Sequence, residues 1–417
     1  MAGNRLEAME LMQRAKMAIV GSHPEMPLSE IIGQDREAFS GIRMLYASDI
    51  TGTPLQSMIK SDDPNVAIHN IFCGKGFLAF SDEIERQMHA SQAKITYPVR
   101  VLLDTNFLTD MPKLLRGEKF GTRESMLATL NCLNENLNKG FDWTFAALEN
   151  LREVVRAENP WPYQKVMAAK LFDSTATIEE AIEVCAKDPG FNSSSLIADA
   201  EEHWDVFLRN PESWKALSRR DVMYCLMLRT MLESWAGASV EQTLRALIEF
   251  CLNSFKVLPL KELYFGWKAA QGFSLPESRL KIFDEPALKS PKEKSIKRIG
   301  ALSWDFFFFR WCETLLSEFK KESFFVPAVT SFDQGLLNAL EACPLRAVLI
   351  NDEAQLIEAI FDDEYDFQLC MNKAITPSLH KIIIDPVRRS KKPNISRYKL
   401  SLEINRLESE IRALIKA

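Results

Sequence analysis

The alternation of apolar and polar residues changes character several times along the chain. Near its start, Leu6, Met9, Met12, Met17 and Ile19 fall on one stripe of a helix. Short mixed segments follow, broken by glycine, proline and the run Ser-Asp-Asp-Pro at 61–64. Residues 1–95 therefore read as a compact α+β region of their own. From residue 95 the stretch ITYPVRVLLDTNFL reads as a fully buried strand, carried by Val99, Val101, Leu102 and Leu103, that stops at a carboxylate. Residues 122–139 have helical spacing, and GFDWTFAALENLREVV gives a short strand or turn leading into another helix.

Helical periodicity then persists over 178–184, 196–208, 222–235 and 240–255, the pattern of a helical bundle. Residues 257–299 lose it, with Pro259, Pro276, Pro286 and Pro291, and end in the basic run KSPKEKSIKR. Beyond lie an aromatic helix over 304–319, a strand over 324–330, a helix over 334–341, a second strand over 347–350 and a helix over 354–361. Short strands alternating with helices predict an α/β domain with a parallel sheet. The tail from 382 is basic, with Arg388, Arg389, Lys391 and Lys392, and leads into an amphipathic helix. There Leu400, Ile404, Leu407, Ile411 and Leu414 recur at spacings of four and three. A free coiled coil needs about three or four heptads, more than this stripe supplies. It packs on the protein's own body, or it forms a homodimer or partner seam.

A chain of 417 residues, at roughly 150 per domain, predicts two or three domains. With 47% apolar and 26% charged residues, it is neither a disordered chain nor a disulfide-stapled miniprotein. Charge interrupts each apolar stretch well before the roughly 18 residues a bilayer span needs. The first residues carry acids where a signal peptide would be apolar, so the expected location is cytoplasmic. The net charge of −6 gives no global attraction to a polyanion, and any such site must be a local patch. The eight cysteines are scattered without a C-x-x-C pair, and His23, His69, His89, His203 and His380 are equally dispersed. Neither a zinc site nor a Cys–His nucleophile is expected.

Four acids stand where chemistry would want them. Asp104 ends the buried strand VRVLLD, at the edge of an α/β sheet where ligands bind. A carboxylate there is costly to bury alone, so it binds a metal, pairs with donors, or simply caps the helix that follows. Asp333 repeats the arrangement in FFVPAVTSFDQGLL. Two strands delivering carboxylates to one sheet edge need a cation or a shared proton between them, and magnesium or manganese suits an all-oxygen set. Asp305 is expected to open the helix SWDFFFFRWCETLL, beside aromatic residues and the basic segment 289–298, where capping is the alternative role. Glu149 sits among Ala146, Ala147, Leu148 and Leu151, with Glu153 as a rival and a solvated helix face as the plain explanation.

Taken in order, LLDTNFL, an embedded Glu, an Asp at a helix start and VTSFDQGLL resemble the PIN-domain nuclease family. The resemblance covers roughly residues 97–160 and 298–365. It implies a PIN-like three-layer α/β/α core with a parallel sheet, interrupted by a large helical insertion and preceded by a separate N-terminal α+β region. The implied boundaries are 1–95 for the N-terminal region, 96–160 and 298–375 for the two halves of the core, 161–297 for the insertion, and 376–417 for the basic tail and C-terminal helix. The family hydrolyses phosphodiester bonds, in RNA more than in DNA, with bound Mg2+ or Mn2+. Carried over, Asp104, Glu149, Asp305 and Asp333 would be the catalytic metal-binding acids, with Asn106 and Thr330 orienting water or phosphate. Lys294, Lys297 and Arg298, in the basic run before the third acid, would meet the substrate. The Trp304–Phe309 aromatics either stack bases or form core.

Three other readings compete with an endoribonuclease. A catalytically inactive PIN-like scaffold would keep the acids as caps and bind protein or RNA. A phosphatase of the haloacid-dehalogenase type wants an Asp two residues after the first, where Asn106 stands. An interaction protein would work through the helical segment and the C-terminal helix.

Overall fold

The computed structural model describes residues 2–90, 99–137, 141–154, 159–274, 281–316, 324, 326–385 and 395–416. The chain is mixed α/β, 67% helical, with two small sheets. It divides into two compact units: Met1–Ser213 with Arg310–Asp333 and Pro344–Asp362, and Trp214–Phe309 with Gln334–Cys343 and Asp363–Ala417.

The first unit holds both sheets. Its strands are β1 (Arg43–Ser48), β2 (Ile68–Asn70), β3 (Gly76–Phe80), β4 (Val99–Leu103), β5 (Phe141–Asp142), β6 (Val326–Thr330), β7 (Leu345–Asn351) and β8 (Leu356–Phe361). Its helices are α1 (Ala2–Gly21), α2 (Leu28–Gln34), α3 (Leu55–Ile59), α4 (Asp82–His89), α5 (Thr105–Leu115), α6 (Arg123–Leu137), α7 (Thr144–Val154), α8 (Trp161–Ser174), α9 (Ile178–Lys187) and α10 (Ser194–Arg209). One sheet has the order β3-β1-β7-β8 and is antiparallel throughout; the other has the order β2-β6-β4-β5. In the second sheet β4 runs parallel to both β6 and β5, and β2 adds antiparallel to β6.

Residues 1–95 are therefore not a separate region. β1 pairs with β7, Met44 opposite Leu349 and Tyr46 opposite Ala347, while β2 joins the sheet that contains β4. The reason is burial: β1 is apolar on both faces, and Met44 and Tyr46 share a core with Ile19, Phe39, Leu349 and Ile360. The two strands expected in one sheet at 324–330 and 347–350 part company, β6 lying beside β4 and β7 between β1 and β8. Residues 354–361, read as helix, form the edge strand β8, whose Glu358 accepts from Lys16 Nζ at 2.7 Å. The α1 stripe also differs. Leu6, Met9 and Met17 are 61%, 52% and 45% exposed, and the buried face is Ala8, Met12, Ala15 and Ile19.

β4 is central to the parallel strands, with Val101, Leu102 and Leu103 buried on both faces, as the apolar run that ends it requires. α5 and α7 follow β4 and β5 and pack on each other, α7 reaching back onto β4, and α8 packs on both helices. Helices α8, α9 and α10, within the segment read as an insertion, belong to this unit.

The second unit is helical among its described residues. It comprises most of α11 (Pro211–Trp235), then α12 (Val240–Phe250), α13 (Leu260–Ser274), α14 (Pro286–Lys289), the larger part of α15 (Ser295–Leu316), α16 (Gln334–Ala342), α17 (Glu364–Ala374), α18 (Pro377–Ile384) and α19 (Arg397–Lys416). Residues 257–299, read as irregular, contain α13, whose Leu263, Phe265, Trp267 and Ala270 are fully buried. Its Tyr264 hydroxyl donates to Asp363 at 2.6 Å and Lys268 pairs with the same carboxylate. Phe306 to Phe309 are buried, with Phe306 against Phe265 at 5.2 Å, so these rings are core and not a stacking surface. In α19, Leu400, Leu407 and Ile411 are buried within the chain, and Glu408 accepts from the Tyr224 hydroxyl at 2.9 Å. The exposed end of the stripe is Leu414. Arg388, Arg389, Lys391 and Lys392 lie outside the described residues. Among the described residues no helix is long and apolar enough to cross a membrane.

Candidate active site

Parallel neighbours β4 and β6 end at the same edge, with Leu103 beside Thr330 and the Asp104 N–H bonded to the Thr330 carbonyl at 3.1 Å. The residues that follow, Asp104 to Asn106 on one strand and Ser331 to Asp333 on the other, meet there. Asp104 is the N-cap of α5, its Oδ1 accepting from the Thr105 N–H at 2.7 Å. Its Oδ2 accepts from Ser331 Oγ at 2.8 Å, and the same Ser331 oxygen accepts from the Asp333 N–H at 2.9 Å. Asn106 Nδ2 donates to Asp333 Oδ2 at 2.8 Å. Phe107 and Phe332 stack with centroids 5.5 Å apart, which fixes the two turns against each other.

Glu149 enters from α7, where Phe145 to Leu148 and Leu151 are buried and Glu149 is half-buried. Its carboxylate accepts from the Thr105 hydroxyl. Lys165 of α8, buried, donates from Nζ to Asn150 Oδ1 at 2.9 Å. Burial lowers the proton affinity of that ammonium, while the charges of Glu149 and Glu153 sustain it.

The electrostatics centre on Asp104, which is only 8% exposed. Burial pushes its carboxyl up to about 7, against the Ser331 hydroxyl and the Thr105 N–H, and the charges of Glu149 and Asp333 push it further up. The three acids thus act on one another, and the ionised form of Asp104 is the disfavoured one in the protein alone.

The remaining expected site residues fall elsewhere. Asp305 belongs to the second unit and lies ten residues into α15, so it does not open that helix. Lys294 and Lys297 are exposed on the same unit, and Arg298 pairs with Glu285 at 2.8 Å. Thr330 is fully buried, its hydroxyl without a hydrogen-bond partner among the described residues. The hydroxyl that meets the acids is that of Ser331, one residue on. Ser331 and Lys165 escaped the sequence reading as site residues. Lys165 had one signal, a lysine leading the apolar run Val166 to Ala169.

The donor set of Asp104, Glu149 and Asp333 is all oxygen, the chemistry that hard divalent cations take, and a cation would favour the ionised Asp104. Among the described residues, however, no group of three or more His, Cys, Asp or Glu side chains is arranged to hold a metal ion. The acids are held by the chain's own donors, with Thr105 and Asn106 on the lone pairs a cation would use. In charge and donor chemistry the set matches a divalent cation, while Thr105 and Asn106 occupy its oxygens here. No family model, curated protein or solved structure matches the chain.

Proposed function

We propose that this protein is a metal-dependent nuclease that hydrolyses phosphodiester bonds, acting on RNA in preference to DNA, with β4, β5 and β6 and their helices as a PIN-like core. The observation that carries the reading is the buried Asp104 at a parallel strand end, raised to about 7 with Glu149 and Asp333 acting on it. Such a cluster has no use for a neutral fold, since a plain helix cap would be better served by an exposed Asp or a Ser. Asp104, Glu149 and Asp333 would hold Mg2+ or Mn2+. When bound, such ions activate a water and stabilise the leaving oxygen of an in-line displacement.

The chain's own residues do the rest. Ser331 keeps Asp104 and the Asp333 backbone in one frame through its single hydroxyl. Thr105 holds Glu149, and Asn106, exposed at the rim, is free to turn from Asp333 toward a phosphate oxygen. Lys165 offsets part of the negative charge from the interior side.

The hydrogen bonds that already satisfy each acid favour a second reading, a catalytically inactive scaffold that binds a protein or RNA partner. Labelled single-stranded RNA and DNA, incubated with Mg2+ or Mn2+, separate the two. Cutting by wild type that is lost in Asp104→Asn and Asp333→Asn is the expected result. Inert wild type together with no Mn2+ binding by calorimetry would establish the scaffold.

A further inference from the structure

We infer that Phe332 is a base-stacking residue of the acidic site, and that it favours a purine at the nucleotide beside the scissile bond. Its meaning for cleavage rests on the proposed function, whereas the stacking surface stands on geometry alone. Phe332 lies between Ser331, whose hydroxyl donates to Asp104, and Asp333, which accepts from Asn106. Its ring stacks on that of Phe107, with centroids 5.5 Å apart and planes 15° from parallel. Phe107 is fully buried in the first turn of α5, so one face of Phe332 is covered and its orientation is fixed from below. Phe332 itself is only half-buried, and among the described residues no second ring lies against it. Asn106 and Phe107 are successive residues of α5, and they meet Asp333 and Phe332, successive residues of the opposite turn. Ring and carboxylate therefore stand side by side.

The chemistry of the site calls for such a contact. The chain carries a net charge of −6, and the acids themselves repel a phosphate backbone. Lys165 is buried on the interior side, Lys294 and Lys297 belong to the second unit, and Phe306 to Phe309 are core. Stacking does not depend on charge, so it holds a base where the acids disfavour the backbone. A ring already fixed by Phe107 loses little side-chain freedom when a planar group lies on it. A base reaches the ring only when it is unstacked from its own neighbours, and a purine, with the larger π-face, gains most from the contact.

Two variants separate stacking from packing: Phe332→Leu keeps an apolar cover over Phe107 and removes the π-face, and Phe332→Trp keeps both. The probe is a labelled oligouridylate of about 12 nucleotides with one central adenosine, compared with the same chain without it. Binding is read by fluorescence anisotropy, in metal-free buffer and with Ca2+. Wild type should favour the adenosine chain by roughly threefold or more. Phe332→Leu should bind that chain about fivefold or more weakly and lose the preference, while Phe332→Trp keeps both. With Mn2+, wild type and Phe332→Trp should cut beside the adenosine, and Phe332→Leu should cut without that preference. Binding and cut position unchanged in Phe332→Leu overturn the inference and leave the nuclease reading in place. An equal fall in both variants assigns Phe332 to packing and overturns it too, as does wild type that binds neither chain in either buffer. Binding that follows the ring, with no cutting by wild type, ends the nuclease reading and sustains the stacking site.

Discussion

Asp104 shows how one side chain can work against the fold that holds it. In the unfolded chain its carboxyl has the ordinary value of 3.8, and in the folded chain it stands at about 7, chiefly through burial. The folded state therefore binds this proton more tightly than the unfolded state does. The associated stability is complete below about pH 4 and is lost as the pH rises toward 7. Each pKa unit corresponds to about 1.4 kcal/mol, so above neutrality the ionised carboxylate costs a few kcal/mol. Asp104→Asn removes the charge and keeps the shape and one acceptor. In metal-free buffer it should be more stable than wild type by roughly 1–3 kcal/mol at pH 8 and level with it at pH 4. Thermal melts at the two pH values check this, and a pH-independent difference would refute it. Added Mn2+ should raise the wild-type melting temperature at pH 8 and leave the variant where it is, because only the ionised carboxylate gains from a cation.

Among the elements, length and unbroken pattern decided what could be read in advance. β4 was legible because Val99 and Val101 to Leu103 are apolar, with only Arg100 among them, and the run ends at a charge. The face of α19 was legible because spacings of four and three put Leu400, Leu407 and Ile411 on one side, and those residues are buried. β8 was not, since a six-residue stretch with Glu358 among five apolar residues is compatible with helix or strand and only its pairing with β7 decides. α1 misled for another reason: its large residues Leu6, Met9 and Met17 lie on the exposed side while small Ala8 and Ala15 let it approach the sheet closely. In the site, Asp104 and Asp333 were legible from strand ends and Asn106 only through the family resemblance, but Ser331 and Lys165 make contacts that no local pattern announces. Because α19 buries its stripe within one chain, Leu407→Ala should cost about 2–5 kcal/mol. Its denaturation midpoint should not depend on protein concentration. A midpoint that rises with concentration would instead place Leu407 in a seam between copies.

At the scale of the molecule, the pairings that join distant stretches are what local reading cannot reach. β1 meets β7 and β2 meets β6, so the first unit is closed by strands from both ends of its sequence. A chain starting at residue 96 would leave one edge of β7 and one edge of β6 without partners, each flanked by apolar residues. Unpaired edges of that kind associate with other chains. Residues 96–417 alone should therefore elute as aggregate in size-exclusion chromatography, where the full chain gives a defined peak. A soluble, folded fragment of 96–417 would show that the β1 and β2 pairings are dispensable.

The β2–β6 pairing also sets a clock on synthesis. A ribosome adding about 5–20 residues per second needs roughly ten seconds to a minute to pass from the codon for His69 to those for Ser331 and Asp333. For most of that interval Asp104 and Glu149 have already been made, but the strand that brings the last acid, and that takes up the free edges of β2 and β4, does not yet exist. Nascent chains and products of premature termination before residue 326 therefore lack Ser331 and Asp333 and cannot complete the site. Whatever chemistry it performs begins only once the strand that leads to Ser331 and Asp333 has been made.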